Sequence, residues 1–412
     1  MSRSKLNFQL KMALVFCLLL YSWNGFAGNE VLTKRAAYIH HIATHFAQQL
    51  TDPQKKNRRN YSQFGYHLSY FTFPLFPITN FIPPAKFGLH SYGQPDRKEK
   101  NGSIYTCRGS FMDISHIRCA ADWTVFLTFK IITDNADFDL PSEAGSLKLH
   151  FQNLDKLSLD DIASMAQKIA YERLLWHEVA SWHYHQPNYM FSEQQSTFSP
   201  EDIYSNFLGT IIGRNIALRI LKNMDTLSYS QIATDELKKM ISSLNPLTTK
   251  AASARAYDIV DRNKQLKLRV AKRNKDIWYD SKIVFFDQRY MFKRNIDIGP
   301  QIEPWLVPSS KNLGCPVHPK AEVLQVPQQT TAGVSLYNYY EFAINPDSVL
   351  FYGKMNKKEL HPPFASFTTQ HFDTIVNQIG KEMEKVFLPG FSKRNSLDPV
   401  PNFKEAKRVL FR

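Results

Sequence analysis

One stretch of the chain, residues 176–206 (WHEVASWHYHQPNYMFSEQQSTFSPEDIYSN), concentrates the side chains that could do chemistry. The members that can bind metal, transfer protons or donate hydrogen bonds are His177, Glu178, His183, His185, Glu193, Ser196, Glu201, Asp202, Ser205 and Asn206. Aromatic residues that could wall a pocket are interleaved with them, namely Trp176, Trp182, Tyr184, Tyr189 and Phe191. The stretch predicts a functional site, but it does not name a reaction.

A metal-dependent hydrolase is one chemistry that these residues suggest, with His177 and Glu178 in catalytic roles. The zinc peptidase motif H-E-x-x-H does not fit, because Ser181 stands where the second histidine would be. His177 could still share a divalent metal such as zinc with residues from elsewhere, such as His116, Asp113 or Glu193. A metal-bound hydroxide would then attack an ester, amide or phosphoester, with Glu178 or Glu193 as base.

Two metal-free alternatives use a nucleophile. His177 could activate Ser196, although Ser196 lacks the G-x-S-x-G elbow of the α/β-hydrolases. Cys119 lies three residues after His116, but in an exported chain a disulfide is the preferred role for it. The simplest interpretation is structural, in which His177 bonds Arg173 or a backbone carbonyl and nothing reacts.

A second polar segment, FMDISHIRCAADWTVFLTF at 111–129, predicts a helix that Asp113 caps and that buries Ile114, Ile117 and Ala121. Asp113 and His116 share one side of this helix, and Arg118 and Asp122 form an i,i+4 pair on another. The candidate substrate-binding residues are Arg118, Asp122, Ser196, Ser205 and Asn206. The competing interpretation makes Arg118 and Asp122 a surface salt bridge.

A helical hairpin over residues 158–222 should position the first stretch. Ser158 and Asp161 form a capping box for a helix that continues to about Tyr184, and Ser199 with Pro200 starts the next one. The second helix carries small residues every four positions, at Ser205, Gly209, Gly213 and Ala217. This smooth ridge predicts close packing against Ala163, Ala166 and Ala170 of the first helix.

The remaining pattern predicts an α+β fold, with a mainly helical core and a small, mostly antiparallel sheet. Strands are expected at 104–107, 146–151, 264–286 and 336–344, and further helices at 32–50, 229–244, 248–261 and 372–387. We expect a signal peptide at 1–27, a single globular domain at 28–391 and a basic tail at 392–412. Long helical runs between scattered strands do not fit a doubly wound sheet.

The N-terminal residues and the charge point to an exported, soluble protein. Three basic residues (Arg3, Lys5 and Lys11) precede a short apolar run at 12–21, which is the pattern of a Sec signal, and no later stretch is apolar enough to span a membrane. The net charge of +14 would fall to about +11 after cleavage. A periplasmic or secreted protein of this charge would meet an anionic envelope or host polymer, and no nucleic acid partner is expected.

Three cysteines follow the signal segment, so the disulfide pairing is ambiguous. Cys107 and Cys119 could close a short loop and leave Cys315 over, which is the pairing we favour from spacing. The alternative joins Cys315 to one of the other two and ties the two halves of the chain together.

Several segments together resemble a known family. YTCRGSFMDISHIRCAADWT (105–124), WHEVASWHYH (176–185) and FSEQQSTFSPEDIYSNFLG (191–209) are similar to domain-of-unknown-function family 4056, as are KRNIDIG (293–299) and PWLVP (304–308). The resemblance implies an exported protein of Gram-negative bacteria and brings no activity with it. The residues themselves favour a hydrolase that acts on an envelope or host polymer. The alternative is a non-catalytic protein that binds anionic envelope material.

Overall fold

The computed structural model describes residues 70–73, 76–79, 81–93, 97–142, 145–183, 200–223, 228–262, 301–304, 306, 313–316, 319–346, 367–368 and 371. Outside these residues lie the predicted signal segment, the helices at 32–50 and 372–387, the strand region at 264–286 and the basic tail. The described helices are α1 (Ile114–Asp134), α2 (Leu159–His183), α3 (Pro200–Asn223), α4 (Tyr229–Ser243) and α5 (Lys250–Arg262). The first strands are β1 (Tyr70–Phe73), β2 (Phe76–Thr79), β3 (Ser103–Thr106), β4 (Ser110–Asp113) and β5 (Phe138–Ser142). The later strands are β6 (Gly145–Phe151), β7 (Gln301–Ile302), β8 (Leu324–Gln325), β9 (Tyr340–Pro346) and β10 (Phe367–Thr368).

Helix α1 is the centre of the core. Its start is set by Asp113, whose side chain accepts a hydrogen bond from Ser115 N as the sequence predicts. Between Ile114 and Ile131 every side chain is buried except those of Cys119 and Lys130. A helix that is buried on all sides needs neighbours around its whole circumference, and α2 and α3 supply two of them.

Helix α3 packs closely against α1 through its two glycines. A Cβ atom at Gly209 would lie 2.3 Å from the Ile117 carbonyl oxygen, and one at Gly213 would lie 2.4 Å from that of Ala121. The small-residue ridge was predicted correctly, but its predicted partner was wrong, because the ridge faces α1 rather than the alanines of α2. Since both contacts advance in the same chain direction, α1 and α3 run parallel.

Helix α2 packs antiparallel to α3, which confirms the helical hairpin. The Tyr171 and Phe207 rings are 4.9 Å apart between centroids, and Arg214 Nε donates to Ser164 Oγ at 3.0 Å. The predicted capping box is also present, since Asp161 N donates to Ser158 Oγ and Ser158 N donates to the Asp161 carboxylate. Helix α2 is therefore antiparallel to α1 as well.

The main sheet has four antiparallel strands in the order β10-β9-β6-β5, with Leu147 of β6 opposite Ile344 of β9. This confirms the α+β class and the strand at 146–151. The predicted strand at 336–344 begins later than expected, because 336–338 form a 3-10 turn. Strand β5 was missed, since its sequence FDLPS contains a proline, which a sheet tolerates at its edge.

Strand β3 was expected in the same sheet, and that expectation was wrong. It pairs instead with β4 in a separate antiparallel hairpin, with Ile104 opposite Met112. This hairpin leads directly into α1, and its turn is fixed by Cys107 N and Arg108 N, which donate to the carbonyls of Asn245 and Leu244. The hairpin thus joins the start of α1 to the end of α4.

The disulfide joins Cys107 to Cys315, with 5.5 Å between their Cα atoms, so the favoured pairing of Cys107 with Cys119 was wrong. The physical reason is the hairpin: Cys107 lies at the turn between β3 and β4, where it packs with Leu313, whereas Cys119 lies within α1. Cys119 is not part of this disulfide and is half-buried. None of the described helices is long and apolar enough to cross a membrane.

Candidate functional site

The N-termini of α1 and α3 meet at one end of the helical core, and the C-terminal part of α2 reaches the same end. The backbone NH of Asp113 donates to Ser205 Oγ at 2.9 Å, which ties the two N-termini together. We define the helix-end cluster as the buried polar residues of this region: Asp113, His116, His177, Glu178, Asp202, Ser205 and Asn206. None of their exposed fractions exceeds 8%, so each charge in the cluster must be compensated locally.

His116 is held between α1 and α3 by its Nδ1 atom. This nitrogen lies 3.2 Å from Asn206 Oδ1 and 3.6 Å from Asp202 Oδ1. Both neighbours are acceptors, which favours the tautomer with a proton on Nδ1 and leaves Nε2 as the proton-accepting atom. The same geometry orients the Asn206 amide, because Oδ1 faces the ring. Asn206 Nδ2 then has no hydrogen-bond partner among the described residues.

Asp113 and Ser205 mainly hold the two helix starts together. The Asp113 carboxylate accepts from Ser115 N at 2.7 Å, and the Ser205 hydroxyl oxygen accepts from the Asp113 backbone. These contacts confirm the predicted cap. The catalytic role of Asp113 and the substrate-binding role of Ser205 stay predictions.

His177 and Glu178 approach the same end from α2. The Arg173 guanidinium lies over the Trp123 ring of α1 at 4.1 Å, which is a cation–π contact. Because α2 is antiparallel to α1, one helical turn beyond Arg173 corresponds to one turn before Trp123. His177 therefore lies one turn further toward the end of α2 that meets the start of α1.

The described residues contain no group of three or more His, Cys, Asp or Glu side chains that could hold an ion. They therefore provide no ligand set for the metal hypothesis. His116 and His177 belong to the same end of the core. Of the other predicted participants, Glu193 and Ser196 lie outside the described residues.

Arg118 and Asp122 occupy a different face of α1, and both are buried, so the surface salt bridge interpretation was wrong. Arg118 Nη2 donates to the carbonyls of Gly88 at 3.0 Å and Glu99 at 3.1 Å. The Asp122 carboxylate is 2.6 Å from His90 Nε2 and accepts from Tyr229 Oη at 2.5 Å. These residues form a second buried cluster and do not join the helix-end cluster.

Burial sets the electrostatics of this second cluster. It raises the pKa of the Glu99 carboxyl, against the attraction of His90 and Arg118, and it lowers the pKa of Arg118. Burial, followed by the nearby Asp122 charge, raises the pKa of Tyr229 well above its usual range. Sequence reasoning missed His90, Glu99 and Tyr229, because only the fold brings these distant residues to α1.

A family described as a protein of unknown function, DUF4056, matches residues 48–308, which is more than half of the chain. The chain belongs to the DUF4056 family. No curated protein and no solved structure matches it. All seven residues of the helix-end cluster lie inside the DUF4056 match, whereas Cys315 and strand β9 lie beyond it.

A third buried polar group joins α2, inside the DUF4056 match, to residues beyond it. The Glu172 carboxylate accepts from Tyr337 Oη at 2.8 Å and Tyr340 Oη at 2.9 Å, and Lys168 Nζ lies 3.6 Å away. Burial raises the pKa of Glu172 despite the attraction of Lys168, and burial lowers the pKa of Lys168. The two tyrosine hydroxyls and Lys168 satisfy the buried carboxylate, so we interpret this group as structural. We call Lys168, Glu172, Tyr337 and Tyr340 the Glu172 cluster.

Proposed function

We propose that this DUF4056 protein is an exported hydrolase that uses His116 as general base in the helix-end cluster. Its substrate would be an anionic envelope or host polymer. The observation that carries the proposal is the placement of His116 Nδ1 against Asn206 and Asp202. A histidine that is held at one ring nitrogen by an amide oxygen, with a carboxylate close by, presents the other nitrogen for proton transfer, as in acid–base hydrolases.

The free-energy cost of burying the helix-end cluster supports a functional role for it. His116, Asp202 and Glu178 are each less than a tenth exposed. Burying several ionisable groups at one helix end destabilises a fold unless they are well paired, and clusters of this kind are enriched at active sites. His177, at the same end on α2, would bind substrate or transfer a second proton.

The polymer part of the proposal rests on charge. The chain carries 51 basic and 37 acidic residues. A basic surface raises the local concentration of an anionic polymer and speeds its encounter with the site. Export stays a prediction from the N-terminal sequence.

The deciding experiment measures hydrolysis of ester, amide and phosphoester reporter substrates by the wild type, His116→Gln and Asp202→Asn. We expect at least one substrate to be turned over, and His116→Gln to lower that rate by about 100-fold or more. His150→Gln is the matched control, because His150 is an exposed strand residue that pairs with Asp137 at the surface. Equal rates for His116→Gln and wild type would remove the proposed base.

Metal content is measured on the same preparations. A metal-dependent form of the site would draw ligands from outside the described residues, such as Glu193, together with His116 or His177. Stoichiometric zinc that disappears in both His116→Ala and His177→Ala would favour that form over the metal-free one.

The second candidate function is non-catalytic binding of anionic envelope material, and the net charge of +14 is the observation that favours it. It predicts salt-sensitive binding to an anionic polymer that His116→Gln leaves unchanged. If no reporter is hydrolysed and such binding is found, the binding function replaces the hydrolase.

A further inference from the structure

We infer that residues 88–93 form a proton-sensitive strap, which the second buried cluster holds against α1 more tightly in acid than near neutral pH. We call these six residues the 88–93 strap. The strap is independent of the proposed hydrolase site, since it contacts other residues of α1, namely Arg118 and Asp122.

Two carboxylates hold the backbone of the strap. Ser91 N donates to Glu99 Oε1 at 2.5 Å, and Gly93 N donates to Asp122 Oδ2 at 2.7 Å. Asp122 Oδ1 also lies 2.6 Å from His90 Nε2, so this carboxylate holds the strap at two positions. The attachment of the strap therefore depends on groups that can gain or lose a proton.

The strap has little apolar anchoring of its own. Leu89 is 60% exposed, and Tyr92 is half-buried with its ring centroid 4.8 Å from that of Tyr229. Glycines stand at both ends of the strap, and Gly93 has a φ of 70°, which other residues rarely adopt. A segment that is held mainly by polar contacts opens locally at a lower free energy than the helices unfold. Weaker polar contacts would thus release the strap while the helical core stays folded.

The cluster beneath the strap has a surplus of negative charge when its histidine is neutral. Glu99 and Asp122 are each less than a tenth exposed, and they face a single guanidinium, that of Arg118, whose Nη1 lies 3.8 Å from Glu99 Oε1. The titratable groups of this region are Arg118 and Asp122 from α1, His90 and Tyr92 from the strap, Tyr229 from α4, and Glu99, with Lys98 and Lys100 exposed beside it. Because an unbalanced charge is costly to bury, the cluster gains from binding one proton.

Glu99 is the group that takes this proton. Burial raises the pKa of Glu99 and outweighs the effects that lower it, of which the attraction of His90 is the largest. A carboxyl whose pKa is raised in the folded state stabilises that state fully below its ordinary pKa, and the stabilisation is lost as pH rises through the raised value. Burial also raises the pKa of Tyr229 well above its usual range, so Tyr229 keeps its proton and its hydrogen bond to Asp122 throughout. Rising pH therefore loosens the strap through Glu99.

The first test is hydrogen exchange of the strap between about pH 4.5 and pH 8, followed by mass spectrometry and corrected for the intrinsic effect of pH. We expect the protection of the strap in the wild type to fall by about tenfold or more over this range, as for a pKa that is raised by about one unit or more. Glu99→Gln keeps the shape of the side chain and an acceptor for Ser91 N but carries no charge, so its strap should keep the protection seen in acid. Glu341→Gln, at an exposed position of β9, is the matched control and should follow the wild type.

Three exchange results would overturn the inference. Wild-type protection that is constant, or that rises with pH, would show that protonation does not tighten the strap. A Glu99→Gln profile that follows the wild type would show that Glu99 does not take the proton. Protection that falls equally in β6, which belongs to the main sheet, would show unfolding of the whole molecule instead of release of the strap.

The second test titrates the Glu99 carboxyl of the wild type by carbon-13 NMR, so it does not depend on the folding of a variant. The signal is assigned by its absence in Glu99→Gln. We expect a midpoint above 4.5, the ordinary value for a glutamate. A midpoint at or below 4.5 would overturn the inference whatever the exchange profiles show. Neither test measures hydrolysis, so both outcomes leave the proposed function to its own experiment.

Discussion

At the scale of single residues, some side chains of the helix-end cluster are positioned by local contacts and others by contacts with distant segments. Asp113 was identifiable from sequence, because a cap acts on the two residues that follow it. The orientation of His116 was not, because its partners Asp202 and Asn206 lie on another helix. His90, Glu99 and Tyr229 were missed for the same reason, since no local pattern marks a residue whose partner comes from a distant segment.

The Tyr229 hydroxyl gives a prediction for the second buried cluster. Tyr229→Phe removes the donor to Asp122 and keeps the ring contact with Tyr92. We expect the free energy of unfolding to fall by about 1.5–3 kcal/mol, as for a hydrogen bond to a charged group. Tyr339→Phe is the control, because the Tyr339 hydroxyl makes no hydrogen bond within the described part of the chain. Equal urea midpoints for the two variants would show that the Asp122 contact contributes little.

Asp161 gives a prediction of pH dependence. Burial acts to raise its pKa, but hydrogen bonds from Ser158 and Thr331 outweigh burial and hold the pKa below its usual range. A lowered pKa in the folded state stabilises the protein above the unfolded pKa and is lost as pH falls through the folded one. Between about pH 5 and pH 2 the wild type should lose more stability than Asp161→Asn. Parallel curves from urea unfolding at each pH would contradict the assignment.

At the scale of elements, the sequence predicted which segments form helices better than it predicted what they contact. The helices from 158 and from 200 carry clear start signals and a 3.6-residue pattern, and both were confirmed. The glycine ridge of α3 predicts close packing against another helix but does not identify that helix. We expected α2, and the structure shows α1 there. The strand at 103–106 was found, whereas its sheet was not, because alternation within a strand does not specify the neighbour.

The glycine ridge can be tested by adding a single methyl group. Gly209→Ala would place a Cβ 2.3 Å from the Ile117 carbonyl oxygen. We expect a loss of about 1–3 kcal/mol or more in unfolding free energy, because two rigid helices would have to separate. Asn215→Ala, at a half-buried position on the same helix, should change stability by less than about 1 kcal/mol. An increase in stability would show that helix propensity outweighs the close contact.

At the scale of the whole molecule, the described residues between 313 and 346 belong to the same folded unit as the helices. The disulfide spans 208 residues, β9 pairs along β6, and Thr331 donates to Asp161 of α2. Sequence spacing could not predict the disulfide, since all three pairings of Cys107, Cys119 and Cys315 were compatible with it. The predicted domain limits of 28–391 stay a prediction.

The disulfide should stabilise the fold because it joins residues far apart in sequence. The double change Cys107→Ser and Cys315→Ser should lower the unfolding free energy by about 2–5 kcal/mol. Cys119→Ser should leave the denaturation midpoint close to that of the wild type. The measurement is guanidinium unfolding under non-reducing conditions, and unchanged stability in the double variant would contradict the expectation.

The Glu172 cluster has a practical consequence for work on the family. A fragment trimmed to the matched residues 48–308 would lack both tyrosine donors, so it would keep a buried carboxylate with only Lys168 beside it. The same truncation would remove β9, which pairs with β6 on the side away from β5. The unpaired backbone groups of β6 would then be exposed and would promote aggregation. The boundary of sequence similarity is thus not a place to cut this chain, and expression trials on relatives should extend past the strand that corresponds to β9.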